Sequence, residues 1–301
     1  MSWQNTALTW ALRRWVKPDT RRKPDVAASR ALTGRVPFGA KLVKGWRVRV
    51  ESGAALQGEW IEPEAADHAA RGRCILYFHG GAYITMAARS YRTLTSRLAI
   101  WSDTRLFALD YRLAPEYPFP AALDDAVAAY RGLVAAGIPA GRIVLAGDSA
   151  GGGLALALLV ALRDAGDALP AGAVLISPWT DLAATGHSLI DNDASDALIF
   201  GAWVGAVAVH YLGDTLATNP LVSPVYADLT GLPPMLIQVS DSEVLLDDSR
   251  RVAENARRVG VTVTERVWPG LPHVWQFFAP ILPEGRAALR EAADFVRSLL
   301  P

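Results

Sequence analysis

From residue 46 onward the apolar positions fall into short dense runs separated by longer stretches with helical spacing. Residues 75–78, 106–109, 143–146, 173–176 and 235–239 are almost wholly apolar. A strand covered on both faces has this pattern, because neither row of its side chains meets water. Residues 46–50 instead alternate, Trp46-Arg47-Val48-Arg49-Val50, as a strand with one wet face does. Residues 58–61 are its expected partner. Between the runs, helices are expected near 90–100, 121–135 and 151–164, then at 245–259 and 285–300 with a strand at 261–267 between them. Such alternation predicts an α/β fold, a mainly parallel sheet wrapped by helices.

Two regions break the rhythm. Residues 3–17 predict one amphipathic helix, with Trp3, Ala7, Trp10, Ala11 and Arg14 at helical spacing and Pro18 as its stop. Its tryptophan face is expected to pack on the protein. A basic turn follows, Lys17, Arg21, Arg22 and Lys23, read as a solvated linker rather than a membrane-surface patch. Residues 181–215 hold the polar stretch DNDASDA and then the apolar segment 199–212. An inserted cap helix over the sheet edge is the simplest account.

Composition narrows the function without choosing it. The 301 residues contain 30 Lys plus Arg and 30 Asp plus Glu. This balance gives no argument for a nucleic-acid partner. Cys74 is the single cysteine, so no intrachain disulfide forms, and its apolar setting predicts a buried structural thiol. Arg13 and Arg14 interrupt the N-terminal apolar stretch, unlike the core of a signal peptide. No run reaches the roughly 18 apolar residues of a membrane span. The expectation is a cytoplasmic protein without stable membrane insertion.

Three short motifs carry chemistry. Residues 147–151 read Gly-Asp-Ser-Ala-Gly. Chance flanks a given serine this way in roughly 0.5% of cases. The context sharpens the signal: a buried strand precedes the motif and an apolar helix follows. That setting suits a nucleophile elbow with Ser149 at its tip and a helix N-terminus behind it. His79-Gly80-Gly81-Ala82-Tyr83 directly follows another buried strand. Its backbone amides, from Gly80, Gly81 and Ala82, are candidates for an oxyanion hole, with the Ala150 amide as partner. His79 itself is read as a local hydrogen-bonding residue. The third motif, Gly270-Leu271-Pro272-His273-Val274-Trp275, places His273 on a loop after a late strand, where a general base belongs. His68, His187 and His210 compete poorly by position. The orienting acid is Asp241, Glu243, Asp247 or Asp248, all after the run at 235–239, and the residues alone leave this choice open.

Together HGGAY at 79–83, LDYRLAPEYPFPAALDD at 109–125, GDSAGGG at 147–153 and GLPHVW at 270–275 resemble the hormone-sensitive-lipase-like esterases, the bacterial family IV lipolytic enzymes. The resemblance spans roughly residues 40–301. It implies an α/β-hydrolase fold with an eight-stranded, mostly parallel sheet. It also implies a helical cap, built here from residues 1–45 and 181–215, over a core of 46–180 and 216–301. Aligning Glu243-Val244-Leu245-Leu246-Asp247-Asp248 with the family's Asp-Pro-Leu-x-Asp-Glu pattern assigns the acid to Glu243 rather than Asp241. It makes Asp247 a supporting residue near the histidine loop. Ala82 replaces the family's third glycine, a change that keeps the amide and adds a methyl group. Asp110 and Arg112 are expected to be structural, and APEYPFP to brace the site.

The implied activity is hydrolysis of small, uncharged, short-acyl esters by Ser149, His273 and Glu243 through an acyl-enzyme, with no metal or organic cofactor. Trp3, Trp10, Trp179, Trp203 and Trp275 are candidate pocket-lining residues. Three other readings compete. One is an amidase or lactonase using the same residues. Another is a non-catalytic binding protein like the plant gibberellin receptors, which resemble this family but lack the catalytic histidine. The third is an interfacial lipase docking through the N-terminal helix. The resemblance also permits a homodimer through the strand at 261–267.

Overall fold

The computed structural model describes residues 1–18, 24–33, 44–53, 55–65 and 67–300. Arg21, Arg22 and Lys23 of the basic turn lie outside them. Eight strands form one sheet: β1 (Trp46–Ser52), β2 (Gln57–Pro63), β3 (Cys74–Phe78), β4 (Arg105–Leu109), β5 (Ile143–Asp148), β6 (Gly172–Ile176), β7 (Met235–Ser240) and β8 (Val263–Trp268). Their spatial order is β1-β2-β4-β3-β5-β6-β7-β8. β2 is antiparallel to β1 and to β4, and the remaining pairs are parallel.

Period-two side-chain alternation divides β3 between two cores. Cys74, Leu76 and Phe78 face one, and Ile75 and Tyr77 face the other. The first core is closed by α4 (Ala121–Ala135), α5 (Ala150–Asp164) and α8 (Leu246–Arg258), and the second by α3 (Arg92–Ser102) and α9 (Pro283–Leu299). This two-sided cover explains why the central strands read as unbroken apolar runs. Cys74 is fully buried, and burial pushes its thiol up to about 12, so it packs as an inert apolar group.

Before the sheet come α1 (Trp3–Ala11), which continues through one wider turn to Val16, and α2 (Val26–Thr33). The second of these is not visible in the apolar spacing. α6 (Ser188–Asp191) and α7 (Gly201–Leu212) follow β6. The N-terminal segment touches that insertion: Lys17 donates to the carbonyls of Asp193 and Asp196, the latter at 2.7 Å, and Arg13 to that of Ser195. Among the described residues no helix is long and apolar enough to cross a membrane.

The orientation of α1 corrects one expectation. Trp3 and Trp10 are 77% and 61% exposed, so they face solvent and line no pocket. Asn5 is the buried residue. Its side-chain amide donates to the Gly270 carbonyl at 2.9 Å, and Leu8 packs beside Leu271 and Trp275. A polar anchor, rather than aromatic area, sets which face turns inward.

Candidate active site

Parallel strands bring their carboxyl ends to one rim, where open α/β sheets place their ligands. Phe78 at the end of β3 pairs with Gly147 near the end of β5, and Ser240 pairs with Trp268 at the ends of β7 and β8. The segments holding His79, Ser149, Glu243 and His273 therefore all leave from the same edge.

Ser149 sits at a sharp bend with φ 52° and ψ −123°, a conformation costing roughly 1–3 kcal/mol for a residue with a side chain. Three backbone hydrogen bonds hold it. Its N–H donates to Ile176 at 2.9 Å, and its carbonyl accepts from Trp179 at 2.9 Å and Gly153 at 3.1 Å. The bend needs Gly151. A Cβ there would lie 2.1 Å from the Phe78 carbonyl oxygen and 2.6 Å from that of His79. The start of α5 thus packs directly on the backbone of the segment leaving β3.

The Glu243 carboxylate is fully buried and its contacts are divided between its two oxygens. Oε1 accepts from the Ser177 hydroxyl and the Ser240 N–H, both at 2.8 Å. Oε2 lies 2.5 Å from His273 Nδ1. Burial pushes this carboxyl up, and the hydrogen bond and charge of His273 pull it down. Burial pulls the His273 imidazolium down, but the hydrogen bond and charge of Glu243 outweigh it, and the pKa rises above 6.5. Asp148, the residue before Ser149, is near enough to His273 for each charge to act on the other.

The other acid candidates face elsewhere. Asp241 is exposed and its Oδ1 accepts the Gly270 N–H at 2.7 Å. Asp247 does not support the histidine loop as expected. It exchanges two 3.0 Å hydrogen bonds with Ser188, because the first turn of α8 faces the insertion. Asp248 is buried under the Thr180 and Asp181 amides at 2.7 and 2.8 Å, and burial lifts its carboxyl to about 7.

Gly80 also needs correction. Its N–H donates to Asp148 Oδ1 at 3.1 Å and approaches the Tyr91 hydroxyl at 3.2 Å. This amide is engaged inward and is not an oxyanion donor. Asp148 also accepts from the Tyr77 and Tyr91 hydroxyls at 2.7 and 2.8 Å, and burial lifts it to about 6. The sequence marked none of these three residues, since a buried carboxylate between two tyrosines has no local signature. No acceptor among the described residues takes the N–H of Gly81, Ala82 or Ala150.

His79 turns its Nδ1 to the Gly80 carbonyl at 2.7 Å and stacks on Tyr111 at 4.3 Å, so it shapes the loop. His68 caps a short turn by accepting the Ala70 N–H. Asp110 accepts the Ala88 N–H at 2.6 Å and Arg112 pairs with Asp125, both structural uses. Trp179 and Trp275 are buried and Trp203 is half-buried. A cavity of about 160 Å³ opens between α2 and residues 85–90, lined in part by Arg30, Thr33, Thr85 and Met86. Among the described residues no cluster of three or more His, Cys, Asp and Glu is placed to hold a metal ion.

A serine at a strand–turn–helix tip and an imidazole held by a buried carboxylate, both on segments leaving the same edge of a mostly parallel sheet, fit the architecture of an α/β-hydrolase. Residues 75–277 match the family described as alpha/beta hydrolase fold. The chain is 50% identical to an acetyl-hydrolase of Streptomyces hygroscopicus, over 80% of this chain and 79% of that one. It also superposes on the crystal structure of an esterase from the bacterial hormone-sensitive lipase family with TM-score 0.90 and 41% identity. That match covers 100% of this chain and 99% of the other. A third match is the structure of EstE5 soaked with p-nitrophenyl butyrate, with TM-score 0.92, 37% identity and the same coverage. The chain belongs to the hormone-sensitive-lipase family of bacterial esterases within the α/β hydrolases.

Proposed function

We propose that this esterase hydrolyses small, short-acyl carboxylic esters through an acyl-enzyme on Ser149. The observation that carries the reading is the 2.5 Å contact between His273 Nδ1 and Glu243 Oε2. With Nδ1 held there as a donor, the neutral ring presents Nε2 as a base. Ser149 Oγ attacks the ester carbonyl while Nε2 takes its proton. The N–H groups of Gly81, Ala82 and Ala150 bind the developing oxyanion, and the N-terminus of α5 favours its charge. His273 then returns the proton to the leaving alcohol. Water, deprotonated by the same nitrogen, releases the acid.

Residues 1–45 and 181–215 form the cap in this reading. Their mutual contacts through Lys17 and Arg13 support it, and the cytoplasm is the proposed location. The acetyl-hydrolase relative and the butyrate-ester soak favour short acyl groups.

The test is a series of p-nitrophenyl esters from acetate to palmitate, with a matching anilide, across pH. Acetate and butyrate esters should be turned over best and the anilide far more slowly. Catalysis needs neutral His273, whose pKa is raised. The acidic limb of kcat/KM should therefore fall above pH 6.5, with activity rising as pH increases through it. Preference for the anilide or for palmitate would contradict the reading, and a limb below 6.5 would contradict the upward shift of His273.

A further inference from the structure

The backbone after Gly80 is held in an unusual shape. Gly81 has φ 115°, and Ala82 and Tyr83 follow at 54° and 62°. Two consecutive residues with side chains in the left-handed region persist only where their surroundings impose it. Some of that constraint is local: the Gly81 carbonyl accepts from Ile84 and Thr85 at 3.0 and 3.1 Å. Some comes from the core, since the Tyr83 carbonyl accepts the Ala114 N–H at 2.9 Å.

The Tyr83 ring meets Tyr111 and Trp179 at centroid distances of 6.3 and 6.1 Å, and its closest ring contact comes from α7, in the insertion. The Tyr211 ring lies flat on the Tyr83 ring, with centroids 3.7 Å apart and planes 3° from parallel. Both rings are 1% exposed. Tyr211 is itself fixed, because its carbonyl accepts the Phe119 N–H at 2.7 Å and the Phe119 ring meets it edge-on. At its far end Tyr83 reaches the first turn of α5. A Cβ on Gly153 would lie 3.3 Å from its hydroxyl. One aromatic stack thus connects the insertion, the strained segment and the helix behind Ser149.

We infer that Tyr211 is a positioning residue for the oxyanion amides. By clamping Tyr83 it keeps Ala82 left-handed and the Gly81 and Ala82 N–H groups aimed at the reacting carbonyl, so α7 governs turnover as well as access. This rests on the acyl-transfer reading above. Ala82 makes the clamp necessary, since a glycine there adopts a left-handed φ without steric cost.

The test is steady-state kinetics on p-nitrophenyl acetate, with active sites counted by fluorophosphonate titration. Tyr211→Leu removes the ring at similar bulk and should lower kcat by roughly 10- to 100-fold, less than full loss of an oxyanion donor, with KM within about twofold. Tyr211→Phe keeps the ring and should restore wild-type kcat. Ala82→Gly combined with Tyr211→Leu should recover most of the loss. If Tyr211→Leu does not fold, Tyr211→Met asks the same question. A raised KM with unchanged kcat, equal losses in Tyr211→Phe and Tyr211→Leu, or no recovery in the double variant would overturn the inference. A wild-type enzyme inactive on every ester would instead sink the acyl-transfer reading itself.

Discussion

Replacing Ser149 with alanine is expected to lower kcat on p-nitrophenyl acetate by roughly 10⁴- to 10⁶-fold, leaving a small residue of catalysis from the oxyanion amides and substrate binding. The effect is large because no neighbour can substitute. Ser149 alone occupies the tip of the bend between β5 and α5, and the backbone bonds that hold it there come from Ile176, Trp179 and Gly153. Those bonds do not involve the hydroxyl, so the variant should fold with a melting temperature close to wild type. KM should change little, since the lost oxygen acts in the bond-forming step. Activity within tenfold of wild type would mean that another group attacks the ester.

Glu243→Gln should be the second most damaging change, lowering kcat by roughly 10³- to 10⁴-fold. Glutamine fits the same space, and its oxygen can still accept from Ser177 and the Ser240 N–H. Its NH₂ then faces His273 Nδ1 and forces that nitrogen to accept. The ring proton moves to Nε2, and the base needed by Ser149 is lost. The upward shift of His273 should vanish with the carboxylate charge, so the residual pH limb should move down. Asp241→Asn is the matched control. It retains an oxygen to accept the Gly270 N–H, and its kcat should stay within about threefold of wild type. Equal damage from the two variants would remove Glu243 from its assigned role.

The frame of the molecule was legible because burial leaves a pattern. Runs such as 75–78 and 143–146 are apolar at every position, as two-sided cover by helices demands. Gly151 was legible for a related reason, since the elbow tolerates no Cβ against the Phe78 carbonyl. What escaped was set by single polar contacts between distant segments. Asn5 binding Gly270 turned α1 so that Trp3 and Trp10 face water. Asp148 took the Gly80 amide, which motif reading had assigned to the oxyanion hole. Asp247 met Ser188 of the insertion rather than the histidine loop. α2 did carry a usable signal: Asp25 accepts the Ala28 N–H at 2.9 Å, the N-cap arrangement that opens many helices. Its eight residues make only about two turns, too short a stretch for the apolar spacing to stand out.

The most direct measurement is covalent labelling with a fluorophosphonate, read by intact mass and peptide mapping. The account predicts one adduct per chain, on Ser149, formed quickly in wild type and at least a hundredfold more slowly in His273→Ala. An adduct on another serine, or equal labelling rates with and without the imidazole, would contradict it.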